Sequence, residues 1–182
     1  MAYTPLIINR LSGSKYYPIS ELMYSNTNGI LTINQLVVRK VIIGQPQSFS
    51  GVAIASLGTA SSLGRMVVYL DDGAGGIGAL DFDSGQVSMS AAGVVTFSFG
   101  SAKIYSGIIW VGYVPQSISG SVGKYAAVIG SDPYVSVSSI YSAGPSFGYG
   151  LTGITGAPPN PWGSTLNDLG VTNFPVMYLI TT

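Results

Sequence analysis

Apolar residues in this chain come in short runs rich in Val, Ile, Tyr and Phe, separated by clusters of Gly, Ser, Asp, Asn and Pro. That spacing is a strand-and-turn signature and lacks the 3.6-residue period of helices. The runs predict strands over 36–43, 51–57, 65–70, 85–90, 94–99, 108–114, 124–129, 134–141 and 176–181. The clearest alternation is at 94–99, where Val95, Phe97 and Phe99 share one face and Val94, Thr96 and Ser98 the other. Between the runs, Gly44-Gln45-Pro46, Asp71-Asp72-Gly73, Asp83-Ser84-Gly85 and Ala92-Gly93 favour tight reversals or positive φ. No window of ten or more residues reads as a helix, although Pro18–Met23 has the composition for a single turn. The expected class is all-β, an antiparallel β-sandwich.

Two stretches fall outside this pattern. Residues 1–35, with Tyr16-Tyr17-Pro18 and Ser25-Asn26-Thr27-Asn28-Gly29, read as an irregular N-terminal arm or attachment segment. Residues 36–182 then form a single sandwich domain. Within it, residues 142–175 make a long loop rich in Gly and Pro, including Pro158-Pro159-Asn160-Pro161-Trp162-Gly163. Loops of that length are rare inside a compact domain, so this one is expected to be functional or packed against a neighbour.

Composition sharpens the picture. Only 8% of the residues are charged, against about 25% in an average soluble domain, and seven basic side chains balance seven acidic ones. A neutral surface has little self-repulsion, which favours association with further copies or with a larger assembly. The alternative is a monomer faced with Ser, Thr, Asn, Gln and Gly. Cysteine and histidine are both absent, which removes disulfides, thiolate metal sites, and the commonest general base and metal ligand. No basic n-region precedes an apolar run at the N-terminus, and no apolar stretch approaches the ~20 residues that span a bilayer. The expected site of synthesis is a cytoplasm, with no membrane insertion. Arg39-Lys40 is the one adjacent basic pair, too little for nucleic-acid binding.

Several motifs imitate chemistry. Gly73-Ala74-Gly75-Gly76-Ile77-Gly78 matches the dinucleotide-binding glycine pattern, but that loop must open a helix, and the residues after it run toward another strand. Ser12–Lys15 and Ser121–Lys124 fit S-x-x-K without its companion motifs. Asp71, Asp72, Asp81 and Asp83 hold four of the seven acidic residues, a grouping that raises Ca²⁺ binding or carboxylate-pair hydrolysis. Neither an EF-hand spacing nor a following Glu is present, so turn-forming aspartates are the favoured reading. Catalytic, metal and cofactor sites are all expected to be absent. Among the aromatics, Trp110 sits in the apolar run Ile108–Val111 and is expected in the core. Tyr141, Phe147, Tyr149 and Trp162 lie in or beside the Gly/Pro-rich loop, and they are the candidates for carbohydrate or partner contact.

The most informative segment is 65–114. Arg65-Met66-Val67-Val68-Tyr69-Leu70-Asp71-Asp72 is followed by the glycine-rich loop, then by Leu80-Asp81-Phe82-Asp83-Ser84-Gly85, Ala92-Gly93-Val94-Val95-Thr96-Phe97 and Ser106-Gly107-Ile108-Ile109-Trp110-Val111-Gly112. This resembles a module of bacteriophage tail, fibre and other virion-surface proteins: an Arg-initiated strand ending in Tyr-x-Asp, a Gly-rich hairpin, a Leu-x-x-Asp-Ser-Gly strand entry and a later Gly-Tyr-Trp-like strand. Ser48–Ile54 and Phe174–Leu179 also fit. Ile108-Ile109-Trp110 replaces an aromatic pair, and the hairpin loop lacks its usual Pro. The resemblance runs from about residue 36 to the C-terminus and transfers no individual functional residue.

What it implies is a jelly-roll or carbohydrate-binding-module-like sandwich on a phage particle, often a homotrimer. The expected role is a non-enzymatic virion structural protein at the particle surface, as a capsid decoration or tail component in contact with other virion proteins. The alternative is a receptor-binding tail-fibre head that recognises a host surface glycan. In either case the chain is assembled into a virion in the host cytoplasm.

Overall fold

The computed structural model describes residues 16–18, 24–25, 32–58, 60–117, 124–127, 149–163, 173–175 and 177–182. These residues form strands and connections, with no helix among them. The strands are β1 (Tyr16–Pro18), β2 (Tyr24–Ser25), β3 (Leu36–Leu57), β4 (Leu63–Asp71), β5 (Ile77–Asp83), β6 (Val87–Ser88), β7 (Ala92–Ser117), β8 (Lys124–Ala127), β9 (Tyr149–Leu151), β10 (Asn173–Pro175) and β11 (Met177–Thr181). The main sheet runs β1-β11-β3-β7-β4-β5, with β6 added on β4 and β9 on β3, and β10-β8-β2 form a small second sheet. Every pairing is antiparallel. The all-β, antiparallel class read from the pattern is therefore what the chain adopts. The particular jelly-roll winding remains an expectation of the resemblance.

Two strands organise the whole. β3 has 22 residues and β7 has 26, against a usual strand of about five or six. The pattern predicts each as two shorter strands, and the structure joins them. Their ladder pairs Val37–Ile43 with Tyr113–Gly107, shifts register, pairs Gln47–Phe49 with Tyr105–Lys103, shifts again, and pairs Gly51–Leu57 with Ser98–Ala92. Gly44-Gln45-Pro46, expected to reverse the chain, instead sits in the first of these bulges. Pro has no amide to give a ladder, and a bulge leaves extra residues unpaired, so it is tolerated there. Ala92-Gly93 likewise starts β7 without a reversal, although Gly93 has the positive φ expected of it, 116°.

The bulged zone divides the sheet into two ladders. One carries β9, the first half of β3, the second half of β7, β4 and β5; the other carries β1, β11, the second half of β3 and the first half of β7. Val41, Ile43, Met66, Val68, Ile109, Val111 and Tyr113 from the first share one buried cluster with Val52, Ile54, Phe97, Met177 and Leu179 from the second. Phe49 and Tyr105, from the bulged zone, join them. Residues so far apart in one sheet meet only if the sheet doubles over, and the bulges supply the bend.

The first ladder is buried on its other face too. Leu36, Val38, Val67, Tyr69, Ile77, Trp110, Val114 and Trp162 form a second cluster. Hence Met66, Val67, Val68 and Tyr69, four consecutive residues, are all fully buried, which alternation with a solvated face would forbid. β5 was not legible as a strand because a bulge interrupts it. Phe82 stands opposite Val68 and Leu80 opposite Tyr69, so two residues of like parity serve opposite faces.

At Gly51 a Cβ would lie 2.3 Å from the Phe97 carbonyl oxygen, a backbone atom with no rotamer to move. Gly51→Ala should therefore cost about 3 kcal/mol, the upper end of overpacking penalties, read as a lowered midpoint in denaturant unfolding with an unchanged slope. The phenols of Tyr69 and Tyr113 are pushed up by burial, and that of Tyr105 by burial and then by its bond to Asp81. Burial favours each neutral phenol, so this stabilisation is complete below the unfolded tyrosine value near pH ~10 and is lost progressively as pH rises from there toward the raised folded values. Alkaline unfolding should follow, with a step in tyrosinate absorbance beyond that of the other nine tyrosines coinciding with loss of the far-UV signal; ionisation of all twelve without unfolding would contradict it.

Candidate functional site

The Gly/Pro-rich stretch that the sequence marks as functional or interface-bound is, over 149–163, a strap across the second face of the first ladder. It enters as β9, pairing Tyr149–Leu151 with Val38–Leu36 at one edge. Ile154 N donates to Asn34 O, and Gln116 Nε2 donates to the carbonyls of Ile154 and Gly156. Tyr69 Oη donates to Pro159 O at 3.0 Å, Leu80 N donates to Asn160 Oδ1, and Trp162 N donates to Gly78 O. The strap thus crosses from beside β3 to β5, the other edge of that ladder. The neighbour it packs against is its own sheet.

Trp162 anchors the far end. Its ring is 2% exposed and stands edge-on to Tyr69, with centroids 5.4 Å apart. A ring this buried is not a stacking platform for an exposed sugar, which corrects the expectation drawn from its loop setting. Its indole N–H has no acceptor among the described residues, so packing and the backbone bond to Gly78 hold it there. Tyr149 is half-buried, with its centroid 5.6 Å from that of Trp110. Tyr141 and Phe147 lie outside the described residues. Trp110 is in the core, as its apolar run indicates, and its Nε1 donates to Gly76 O at 2.9 Å. Lys40 Nζ stands 5.1 Å above the Trp110 ring, within reach of a cation–π attraction.

The aspartates do not converge. Among the described residues, no three acidic side chains are grouped so as to hold a metal ion. Asp71 and Asp72 shape the β4–β5 hairpin: Asp71 Oδ2 accepts from Gly73 N, and Asp72 Oδ1 accepts from Ala74 N and Gly76 N. Those amide bonds, with Lys40 as a weaker influence, hold the Asp72 carboxyl below its ordinary value. Asp83 accepts from Arg65 Nη1 at 2.9 Å and from Gly85 N. Asp81 accepts from Lys103 Nζ at 3.0 Å and from Tyr105 Oη at 2.6 Å. The dinucleotide-like glycines form the hairpin loop and lead into β5, not a helix. Ser121 of the second S-x-x-K match, and all of the first up to Lys15, fall outside the described residues.

What the arrangement offers chemically is a pair of opposite charges, the Lys40 ammonium and the Asp72 carboxylate, at the glycine loop, with Tyr149 against Trp110. Sequence reasoning missed Lys40 and the role of Asn160, because nothing local to either residue records which strand the strap will cross.

Removing the anchor should separate packing from hydrogen bonding. Trp162→Ala should cost about 3–5 kcal/mol and open the strap to limited proteolysis, whereas Trp162→Phe, which sacrifices no hydrogen bond, should keep most of the stability. Equal losses in the two variants would show that the ring does not anchor the strap. In comparison with known proteins, no family model, no curated protein and no solved structure matches this chain.

Proposed function

We propose that this protein is a non-enzymatic bacteriophage virion structural protein, displayed on the particle surface as a capsid decoration or tail component. The observation that carries the reading is the commitment of the aspartate cluster to architecture. Asp71, Asp72, Asp81 and Asp83 each bond to a turn amide or to a basic side chain or phenol of the same chain. A hydrolase built on this chain, without His or Cys, would depend on its few carboxylates, and these four are occupied. Supporting it are the likeness of 65–114 to virion-surface modules, the near-absence of surface charge and a body reinforced on both faces of one ladder. Such a protein works by being rigid and by covering other surfaces. Its partners on this reading are other virion proteins and further copies of itself, a homotrimer by the resemblance, assembled in the host cytoplasm.

A second reading, a tail-fibre head that recognises a host surface glycan, draws on one observation. The half-buried Tyr149 ring packs on Trp110, whose ring Lys40 also approaches, which puts an aromatic ring and a cation on the same tryptophan. Burial of Trp162 takes away the larger aromatic that this reading relies on.

Mass spectrometry of purified particles should find the chain at a fixed stoichiometry. Adding purified protein to particles that lack it should restore binding and raise their resistance to heat. No binding, together with unchanged stability of particles lacking the protein, would sink the structural reading. A glycan array should stay at background; a signal abolished by Tyr149→Ala would favour the adhesive reading instead. Asp81→Asn and Asp83→Asn should change no hydrolytic activity above background.

A further inference from the structure

Asp72-Gly73 is the one Asp-Gly pair in the chain, and both residues are exposed at the tip of the β4–β5 hairpin. An exposed pair of this kind is where a polypeptide isomerises most readily. The glycine amide nitrogen attacks Cγ of the aspartate. An N–Cγ bond forms, the amide proton is lost, and a carboxyl oxygen departs as water. The cyclic imide then takes up water, and opening at the main-chain carbonyl leaves isoaspartate, with the backbone running through Cβ and Cγ. Water is the only co-reactant and the mass is unchanged. Glycine favours the attack because no side chain shields its nitrogen.

Both reacting groups are engaged in this hairpin. Gly73 N donates to Asp71 Oδ2 at 2.9 Å, so the nitrogen must give up that bond before it attacks. Asp72 Oδ1 accepts from Ala74 N and Gly76 N, each at 2.8 Å. Those two bonds favour the carboxylate, with Lys40 as a weaker influence, whereas the imide forms from the protonated carboxyl, whose oxygen leaves as water. The loop is closed behind them. Asp72 N donates to Gly76 O, and Trp110 Nε1 donates to the same carbonyl, which ties the loop to a core ring.

We propose that the hairpin is a guarded modification site: Asp71 holds the Gly73 amide, the Ala74 and Gly76 amides hold the Asp72 carboxylate, and Asp72-Gly73 is thereby kept from isomerising in the folded protein. Asp71 is the positioning residue. What the guard preserves is the entry to β5. Isoaspartate lengthens the main chain by one carbon between Asp72 and Gly73, and the bonds from Asp72 to Ala74 and Gly76 cannot then all be remade. The inference is independent of the virion reading, since it concerns the chemistry of the hairpin whatever the protein does.

The test is peptide mapping of the full-length protein after prolonged incubation in mildly acidic buffer, with the isoaspartyl peptide separated from its aspartyl isomer by chromatography. In the folded state the reaction runs only from the opened loop, so isomerisation at Asp72 should be at least about tenfold slower than in the chain unfolded by guanidinium chloride. Asp71→Ala should raise the folded-state rate at least about threefold by increasing the open fraction, with circular dichroism unchanged. Asp71→Asn, which keeps an oxygen to accept from Gly73 N, should stay near the wild-type rate. Should Asp71→Ala fail to fold, Gly76→Ala reads the other half of the guard. Its Cβ would lie 2.4 Å from Asp72 Oδ2, displacing the carboxylate from its amides, and the rate should rise. Equal rates in the folded and unfolded wild-type chain would overturn the proposal. So would an unchanged rate in the folded Asp71→Ala or Gly76→Ala protein, or equal acceleration by Asp71→Ala and Asp71→Asn.

Discussion

Everything in this protein hangs on the ladder between β3 and β7, because each of the two strands belongs to both halves of the sheet. Val37–Ile43 on Tyr113–Gly107 builds one half, and Gly51–Leu57 on Ser98–Ala92 builds the other. The register shifts between them convert one long ribbon into two faces that enclose Phe49, Val52, Val68, Val111 and Leu179. Without the bend, each ladder would leave an apolar face in water, and at about 25 cal/mol per Å² that face is the main driving force available. The pairing is also non-local in sequence, so its loop-closure cost must be met before the core rewards it.

The strap solves a problem this ladder creates. A strand such as β4, apolar at four successive positions, needs cover on both sides, and the second half of the sheet provides only one. Residues 149–163 supply the other, seating Trp162 and Ile154 against Tyr69, Trp110 and Val114. The hydrogen bonds from Tyr69, Leu80 and Gln116 fix the strap's path, and the ring of Trp162 supplies its main buried mass. A glycine- and proline-rich segment suits this task because it packs closely without competing for the ladder. The same composition made it look like an exposed recognition loop.

Polar chemistry follows the same economy. The ion pairs Arg65–Asp83 and Lys103–Asp81 are only partly buried, so screening leaves each a small contribution to stability. Their placement matters more than their strength. Lys103 ties β7 to β5 through both the side chain and the carbonyl of Asp81, and Asp72 shapes the turn that brings β5 back along β4. Side chains grouped in a row along the sequence are, in three dimensions, spread over separate turns and strand ties.

The sequence by itself determined the strand class, the core position of Trp110, the turn at Asp71-Asp72-Gly73 and the shared face of Val95, Phe97 and Phe99. These depend on local periodicity and turn chemistry, which act over a few residues. It did not determine that 36–57 and 92–117 are continuous strands, since Gly44-Gln45-Pro46 has the same composition in a bulge as in a reversal. Nor did it reveal β5, where a bulge places Leu80 and Phe82 on opposite faces, or the burial of Trp162. Only the tertiary structure decided those, because each depends on what lies across the sheet: a partner strand to bulge against, and an uncovered apolar face for the strap to close.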